Sequence, residues 1–312
     1  MNLRTSSLII LSVSILLFTN CTKEEIINNK IPIAEAGESR VIELQESEGS
    51  TTLTGTGADA DGKVVAYLWS QISGPNASEI VNEGAASTEV RKLITGIYTY
   101  QLMVVDDGGA TGVDTVSLTV KGPTNLILQP AINPDEVAIW GNTNGLDQTD
   151  SNPPELGAVS WTYGGAVIGM RSAFKFDLSS IPATATILDA KLSLYSNHSP
   201  LNGGVPNANS GPDNTMLIQR ITSQWSANAV NWVSQPSTTT NNQVIIPSTT
   251  QPYLDLIDVN VTELVKGMTA GNTNNGFSIR LQNEVIYNSR IFYSSRHTDS
   301  GKHPKLIVTY SN

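Results

Sequence analysis

Cysteine is almost absent from this chain: Cys21 is the only one among 312 residues. No disulfide can form within the chain, so its folded parts must be stabilised by their hydrophobic cores alone. Histidine is nearly as scarce, and His198, His297 and His303 show none of the spacings of zinc-binding motifs. The sequence also has no G-x-S-x-G elbow and no phosphate-binding P-loop. These absences exclude the usual signatures of zinc enzymes, serine hydrolases and nucleotide-binding enzymes.

Charged residues are also few, at 15%, and the net charge is −10. Residues 31–121 hold 5 basic and 13 acidic residues, whereas residues 125–312 hold 10 basic and 13 acidic residues. Neither segment has the basic stripe with which a nucleic-acid-binding protein neutralises phosphates. We therefore expect no nucleic-acid partner.

The acidic residues form no recognisable catalytic pair. Asp255 and Asp258 are close in sequence, but two such carboxylates are ordinary at a junction between a strand and a helix. Without a defined separation between them, they indicate no acid and base. We predict no catalytic residue and no enzymatic activity.

Residues 1–20 have the pattern of an export signal, with a positive start and an apolar run too short to span a bilayer comfortably. Residues 16–21 resemble a bacterial lipobox, which implies that Cys21 becomes the lipidated first residue of the mature protein. Residues 22–25 resemble the export signal of surface lipoproteins in Bacteroidota-type bacteria. These resemblances imply an outer-membrane lipoprotein, exposed at the cell surface and tethered through residues 21–30. The alternative is an ordinary signal peptide with an incidental cysteine.

Residues 31–121 alternate apolar and polar side chains with a period of two, which is typical of strands with one buried face. Tyr98, Tyr100, Leu102 and Val104, for example, share one face of such a strand. Clusters of glycine, proline and aspartate separate the runs. About seven short strands predict an immunoglobulin-like β-sandwich.

Short segments of this first module resemble a polycystic-kidney-disease (PKD) type domain. They are residues 34–37, 55–62, 67–75, 96–98 and 105–110. The resemblance covers the whole module and implies a spacer or adhesion domain of a surface protein. Trp69 is predicted to be buried in its core.

Residues 59–62 carry two aspartates that offer oxygen ligands to calcium, but the rest of an EF-hand loop is missing. The preferred interpretation is a polar turn. No cofactor is expected, and a structural calcium ion is the one option left open.

Residues 121–124 form a short boundary before a second module over residues 125–312. Alternating runs again predict strands, as in residues 173–178. One stretch breaks the period, because the apolar residues of 261–268 fit a single short helix closed by Gly271. Many strands with one small helix predict a jelly-roll β-sandwich.

This second module resembles DNRLRE-type domains over nearly its whole length. The matching segments are residues 171–182, 190–195, 225, 230–232, 235–236, 258–265, 274–277 and 303–310. The resemblance implies a carbohydrate-binding module, since related domains bind polysaccharides and at least some bind alginate-like uronic-acid polymers. Trp225 and Trp232 lie inside the family motif and are predicted to be structural. Residues 140–169 form a segment that is longer and more polar than expected for the family, so we predict a loop that is specific to this protein.

The most basic part of the module indicates where an acidic sugar would bind. Arginine suits uronates because its planar fork matches a carboxylate. Alternation along residues 277–282 directs Arg280 and Gln282 away from the core face. The candidate glycan-binding residues of this region are Arg280, Gln282, Arg290 and Arg296. The alternative for each is a solubilising surface residue.

Trp161 and Tyr163 complete the candidates. They lie in the polar segment 140–169, bounded by Gly164 and Gly165. Two roles are open to them, either exposed stacking residues for sugar rings or a plug for the end of the sandwich.

Two functions remain open at this point. The first is a surface lipoprotein that binds polysaccharide through the second module, with the PKD-type module as a spacer. The second is a structural or adhesive surface protein that contacts proteins or matrix. In both, the membrane is a partner through the lipid anchor at Cys21.

Overall fold

The computed structural model describes residues 28–131, 135–201, 206–271 and 273–312. Cys21 and the predicted signal peptide lie outside these residues, so lipidation remains a prediction. Among the described residues, none of the helices has the length and apolar character that a membrane crossing requires. Of the described residues, about 50% are in strands and 4% in helices, which confirms the predicted all-β class.

The first module consists of short antiparallel strands and one parallel pair. The strands are β1 (Ile33–Glu35), β2 (Arg40–Glu43), β3 (Gly49–Thr54), β4 (Thr56–Ala58), β5 (Val64–Ser73), β6 (Glu79–Ile80), β7 (Ser87–Leu93), β8 (Gly96–Asp106) and β9 (Thr111–Lys121). They form sheets in the orders β2-β9-β8-β5 and β3-β7-β6, with β1 paired to β4. This arrangement confirms the predicted immunoglobulin-like sandwich.

The core of this sandwich follows from the alternation along β8. Tyr98, Tyr100, Leu102 and Val104 are all fully buried, while the residues between them are partly exposed. Trp69 of β5 is also fully buried, and its indole Nε1 donates a hydrogen bond to the carbonyl of Ala85 at 3.1 Å. The predicted core role of Trp69 is confirmed.

Residues 59–62 form a bend, as predicted, between β4 and β5. Asp61 accepts the backbone N–H of Lys30, and nearby Asp107 accepts that of Lys63. Among the residues that the structure describes, no group of three or more histidine, cysteine or acidic side chains is arranged to hold a metal.

The second module holds the remaining strands and a short helix. They are β10 (Thr124–Leu128), β11 (Glu136–Gly141), β12 (Asp147–Asp150), β13 (Glu155–Tyr163), β14 (Ala166–Phe174), β15 (Thr186–Leu194), β16 (Met216–Ile221), β17 (Thr238–Ile246), β18 (Leu256–Asn260), α1 (Thr262–Thr269), β19 (Phe277–Leu281), β20 (Asn288–Tyr293) and β21 (Lys305–Ser311).

These strands pack as two layers over one large core. One sheet has the order β10-β21-β15-β18, and the other runs β12-β11-β14-β19-β16-β17, with β13 joining β14 to β20. Phe174, Phe277 and Ile279 fill the core from the larger sheet, and Leu192 and Leu306 fill it from the smaller one. The arrangement agrees with the predicted jelly-roll sandwich.

Helix α1 closes one side of this core. Its buried residues include Leu264, Val265 and Met268, so the predicted helix is confirmed. It begins without a side-chain cap from Val261, but the Asn260 side chain accepts the N–H of Thr262 at 3.0 Å.

The prediction of a long polar loop over residues 140–169 is wrong. This segment folds into the end of β11, β12, β13 and the start of β14, and β13 pairs with both β14 and β20. The turn between β13 and β14 needs left-handed backbone at Gly164 (φ 56°) and Gly165 (φ 85°), which glycine adopts without steric cost. Residues 155–160 of β13 are all buried, so this strand shows no alternation of buried and exposed residues, and its small and polar side chains made the segment look like a loop.

Candidate functional site

A polar cleft lies on the outer face of the larger sheet. The strand register pairs Ile139 with Arg171 and Ala173 with Ser278, so these residues point to the face opposite the phenylalanine core. Arg280 follows two residues after Ser278 and shares that face. The resulting cavity measures about 340 Å³. We call it the arginine cleft, and its lining includes Arg171, Gln219, Trp232, Gln235, Ser278 and Arg280.

Arg171 is held rigidly in this cleft. Its Nε and Nη2 donate to the two carboxylate oxygens of Glu284 at 2.7 and 2.9 Å, and its Nη1 donates to Gln235 Oε1 at 2.8 Å. The guanidinium carbon lies 4.7 Å from the ring centre of Trp232. A bidentate ion pair with a stacked face is the geometry in which arginine binds best.

Arg280 shares the same carboxylate but is less fully engaged. Its Nη2 lies 3.7 Å from Glu284 Oε1, and its side chain is 32% exposed. Burial lowers the pKa of Arg280, and the neighbouring Arg171 lowers it further, while Glu284 acts in the opposite direction. Two cations thus share one anion, so the site has the charge to accept a second carboxylate.

The floor and rim of the cleft carry hydrogen-bonding groups. Gln219 donates to Gln243 at 2.7 Å and accepts from the Thr238 hydroxyl at 3.0 Å. At the rim, the backbone N–H of Trp232 donates to Asp147 at 2.6 Å. The Gln219 amide and the Trp232 N–H are therefore engaged within the protein. The hydroxyls of Ser237, Thr238 and Ser278 also line the cleft and are suited to sugar hydroxyls.

Trp232 contributes more than the structural role predicted for it. Its ring packs over Gly169, where an added Cβ would lie 2.5 Å from the indole Cη2, and the same ring lines the arginine cleft. Trp225 is structural as predicted, since it packs against a buried cluster and donates to the carbonyl of Asn275 at 2.7 Å.

The prediction that Arg290 lies on the binding surface is wrong. The side chain is fully buried in β20, and its Nε donates to the backbone and side-chain oxygens of Asn214 at 3.1 Å. Its Nη2 donates to the carbonyl of Pro247, and burial lowers its pKa to about 10. An arginine held this way supports the fold and is out of reach of a polysaccharide.

The remaining arginine-region candidates lie apart from the cleft. Gln282 is exposed just beyond the end of β19, and its backbone N–H donates to Thr215 O at 2.8 Å. Arg296 is exposed in the turn after β20. Of the four predicted residues, Arg280 alone lines the arginine cleft.

Trp161 and Tyr163 line a different cavity of about 450 Å³, together with Trp140, Asp150, Ile168 and Met170. We call it the aromatic cleft. Trp140 pairs with Met170 across the sheet, whereas Ile139 pairs with Arg171, so the two clefts open on opposite faces of β14. The structure therefore separates the predicted aromatic candidates from the predicted cationic ones.

Two known protein families match the sequence. The K319L-like PKD domain matches residues 36–120, and carbohydrate-binding module family 96 matches residues 169–310. The chain carries a PKD domain followed by a family 96 carbohydrate-binding module. Both predicted resemblances are thus confirmed at the level of domain type, and both types are non-catalytic.

Curated relatives match part of the chain. The chain is similar to the dyslexia-associated protein KIAA0319-like protein of Mus musculus, with 32% identity over 142 residues that cover 42% of this chain and 13% of the relative. The KIAA0319 homolog of the same organism is 37% identical over 136 residues, covering 44% and 12%. The chain thus spans about an eighth of the length of these relatives.

Solved structures give two further similarities. The PKD domain from KIAA 1837 protein has a TM-score of 0.26 and 30% identity, covering 28% of this chain and 85% of that one. A structure from work on promiscuous carbohydrate-binding modules of the β-sandwich superfamily has a TM-score of 0.22 and 13% identity, covering 91% and 92%.

The lining of the arginine cleft named above lies within the matched family 96 region, whereas most of the aromatic cleft lies outside it. The arginines, glutamines and tryptophan of the arginine cleft all lie within residues 169–310. Most of the aromatic cleft, including Trp140, Trp161 and Tyr163, comes from residues before 169. The sequence reasoning missed Arg171, Gln219 and Gln235, because only the register of distant strands brings them to Arg280.

Proposed function

We propose that this protein is a surface lipoprotein that binds an acidic polysaccharide in the arginine cleft of its family 96 module. The PKD domain acts as a spacer between that module and the membrane. The protein carries out no catalytic step in this function and needs no nucleic-acid partner.

One observation carries the choice of an acidic ligand. Arg171 and Arg280 share a single carboxylate, that of Glu284, in a cleft whose other polar lining is uncharged. A uronate placed beside Arg280 supplies the second anion and relieves the repulsion between the two guanidinium groups. The surrounding glutamines, serine and threonine provide partners for the sugar hydroxyls.

Replacing Arg280 tests this assignment. Arg280→Ala should weaken binding to alginate or polygalacturonate by about 1.5–3 kcal/mol, roughly 10- to 150-fold in Kd, because a charge-assisted hydrogen bond is lost. Arg280→Lys should recover only part of the affinity, since an ammonium keeps the charge but not the fork. Isothermal titration of the purified chain measures both.

Lys191→Ala is the matched control, because it removes one exposed positive charge from the other sheet. Equal losses for Lys191→Ala and Arg280→Ala would assign the effect to overall charge and reject the cleft. No binding to any glycan by the folded chain would favour the structural or adhesive function instead.

The lipid anchor has its own test. Cys21→Ala should abolish incorporation of labelled fatty acid and release the protein from the membrane fraction, because Cys21 is the only thiol available for acylation. Thr22→Ala, next to it, should leave both labelling and fractionation unchanged. Unchanged membrane association of the Cys21→Ala protein would reject the anchor.

A further inference from the structure

The aromatic cleft has the features of a second binding site, separate from the arginine cleft. It is built from the end of β11, from β12 and from the β13–β14 hairpin. It opens on the face of β14 opposite the arginine cleft, so one sugar ring cannot occupy both.

The aromatic side chains of this cleft contact other aromatic rings. Trp140 and Trp161 are half-buried beside a small apolar cluster, and Tyr163 is exposed. Tyr163 is 58% exposed, and its ring meets that of Trp140 at a centroid distance of 5.0 Å and an angle of 61°. Trp161 meets Tyr287 in the same edge-on manner at 5.0 Å and 80°. Edge-to-face contacts restrict the rings, which lowers the entropy lost when a ligand stacks on them.

Tyr287 supports this arrangement at a conformational cost. It is 52% exposed and adopts a left-handed backbone with φ 68°, which is rare for an aromatic residue. Its N–H donates to Ser160 O at 2.8 Å, next to Trp161. Backbone strain of this kind concentrates at binding and catalytic sites.

The charge of the cleft distinguishes its ligand from that of the arginine cleft. Among the residues that the structure describes, its lining includes two carboxylates, Asp150 and Glu155, and no basic side chain. Asp150 accepts the N–H of Asn152 through Oδ1 at 2.9 Å, and a carboxylate has further lone pairs for the donors of a sugar. A uronate carboxylate would be repelled here, whereas the hydroxyls of a neutral sugar would find acceptors.

The volume is compatible with such a ligand. A cavity of about 450 Å³ lies within the range of about 300–1,000 Å³ that is usual for small-molecule sites. Apolar ring faces with a few polar groups at the edge match a pyranose, which has apolar faces and hydroxyls around its rim.

We propose that the aromatic cleft is a second carbohydrate site, which takes a neutral pyranose ring stacked on Tyr163 and Trp161. It binds independently of the arginine cleft, so the protein has one site for acidic and one for neutral sugar units.

Titration with neutral hexasaccharides tests the second site. The purified chain is titrated with cellohexaose, laminarihexaose and mannohexaose at about 0.05 and 0.5 M NaCl, a range over which exposed charge interactions are strongly screened. At least one of these probes should bind, with a Kd that changes less than about twofold with salt. Tyr163→Ala should weaken that binding at least about tenfold, and Tyr163→Phe should keep it within about threefold, because the ring is retained.

Two controls separate this site from general effects and from the proposed acidic site. Val167→Ala removes a 52% exposed apolar side chain from the same hairpin, on the face opposite Trp161 and Ile168, and should leave the Kd unchanged. Arg280→Ala should also leave neutral binding unchanged while weakening alginate binding. Failure of all three neutral probes to bind the folded chain would overturn the second site, as would equal losses for Tyr163→Ala and Val167→Ala. Neither result bears on alginate binding.

Discussion

Phe277→Ala is expected to lower the free energy of unfolding of the family 96 module by about 3–5 kcal/mol, the range for removing a buried aromatic ring. Phe277 is fully buried at the start of β19. Its ring lies 5.8 Å from that of Phe174 and 6.1 Å from that of Phe176. Removing the ring deletes both aromatic contacts and leaves a cavity in the core.

Guanidinium unfolding followed by tryptophan fluorescence measures this loss. Val285→Ala, at a side chain that is 54% exposed, should change stability by less than about 0.5 kcal/mol. A loss below about 1 kcal/mol for Phe277→Ala would contradict the assignment of these phenylalanines to one packed core.

Stability should fall by about 2–3 kcal/mol between pH 5 and pH 8 because of one carboxyl group, that of Glu136. Glu136 is 2% exposed in β11. Burial raises its pKa from 4.5 to about 7, although hydrogen bonds from Ser295 oppose the shift. The folded state therefore favours the neutral form of the Glu136 carboxyl. The stability that this group contributes is fully present below pH 4.5 and is lost as the pH rises through about 7.

Unfolding curves at the two pH values check this sign. Glu136→Gln should flatten the dependence, because a permanently neutral amide can still accept from Ser295. Asp177→Asn is the control: Ser179 lowers the pKa of that exposed carboxyl, so its titration lies below the tested window. A stability that rises toward pH 8, with no difference for Glu136→Gln, would contradict the buried neutral acid.

Most of the fold could be predicted from the alternation of apolar and polar residues along single strands. In β8 one face is buried and the other is partly exposed, so Tyr98 and Leu102 indicate both the strand and its inner face. In β19 the apolar residues Phe277 and Ile279 follow the same period, and Arg280 between apolar neighbours is partly exposed. The short helix was recognisable for the same reason, because its apolar residues follow a different period.

Arg290 shows where this reasoning fails. Residues 288–292 of β20 are all buried, so the strand has no exposed face and alternation carries no signal. A basic residue in such a strand can be recognised only when its partners are known. Those partners, Asn214 and Pro247, lie more than 40 residues away in sequence.

Only part of the arginine cleft could be predicted from the sequence, because its residues come from strands that are distant along the chain. The direction of Arg280 followed from the strand period, but Arg171 and Glu284 are separated by 113 residues. Strand order and register bring them together, and neither is encoded in a local pattern. The aromatic cleft was missed as a cavity because its strands were taken for a loop.

Titration of the purified chain with alginate oligosaccharides at low and high salt tests the central claim most directly. Saturable binding that weakens as salt rises is expected, because the arginine cleft attracts a carboxylate through charges that salt screens. The Arg280→Ala protein should show weaker binding and a smaller dependence on salt. Binding with the same Kd at both salt concentrations, unaffected by Arg280→Ala, would contradict the assignment of the arginine cleft as a site for acidic polysaccharide.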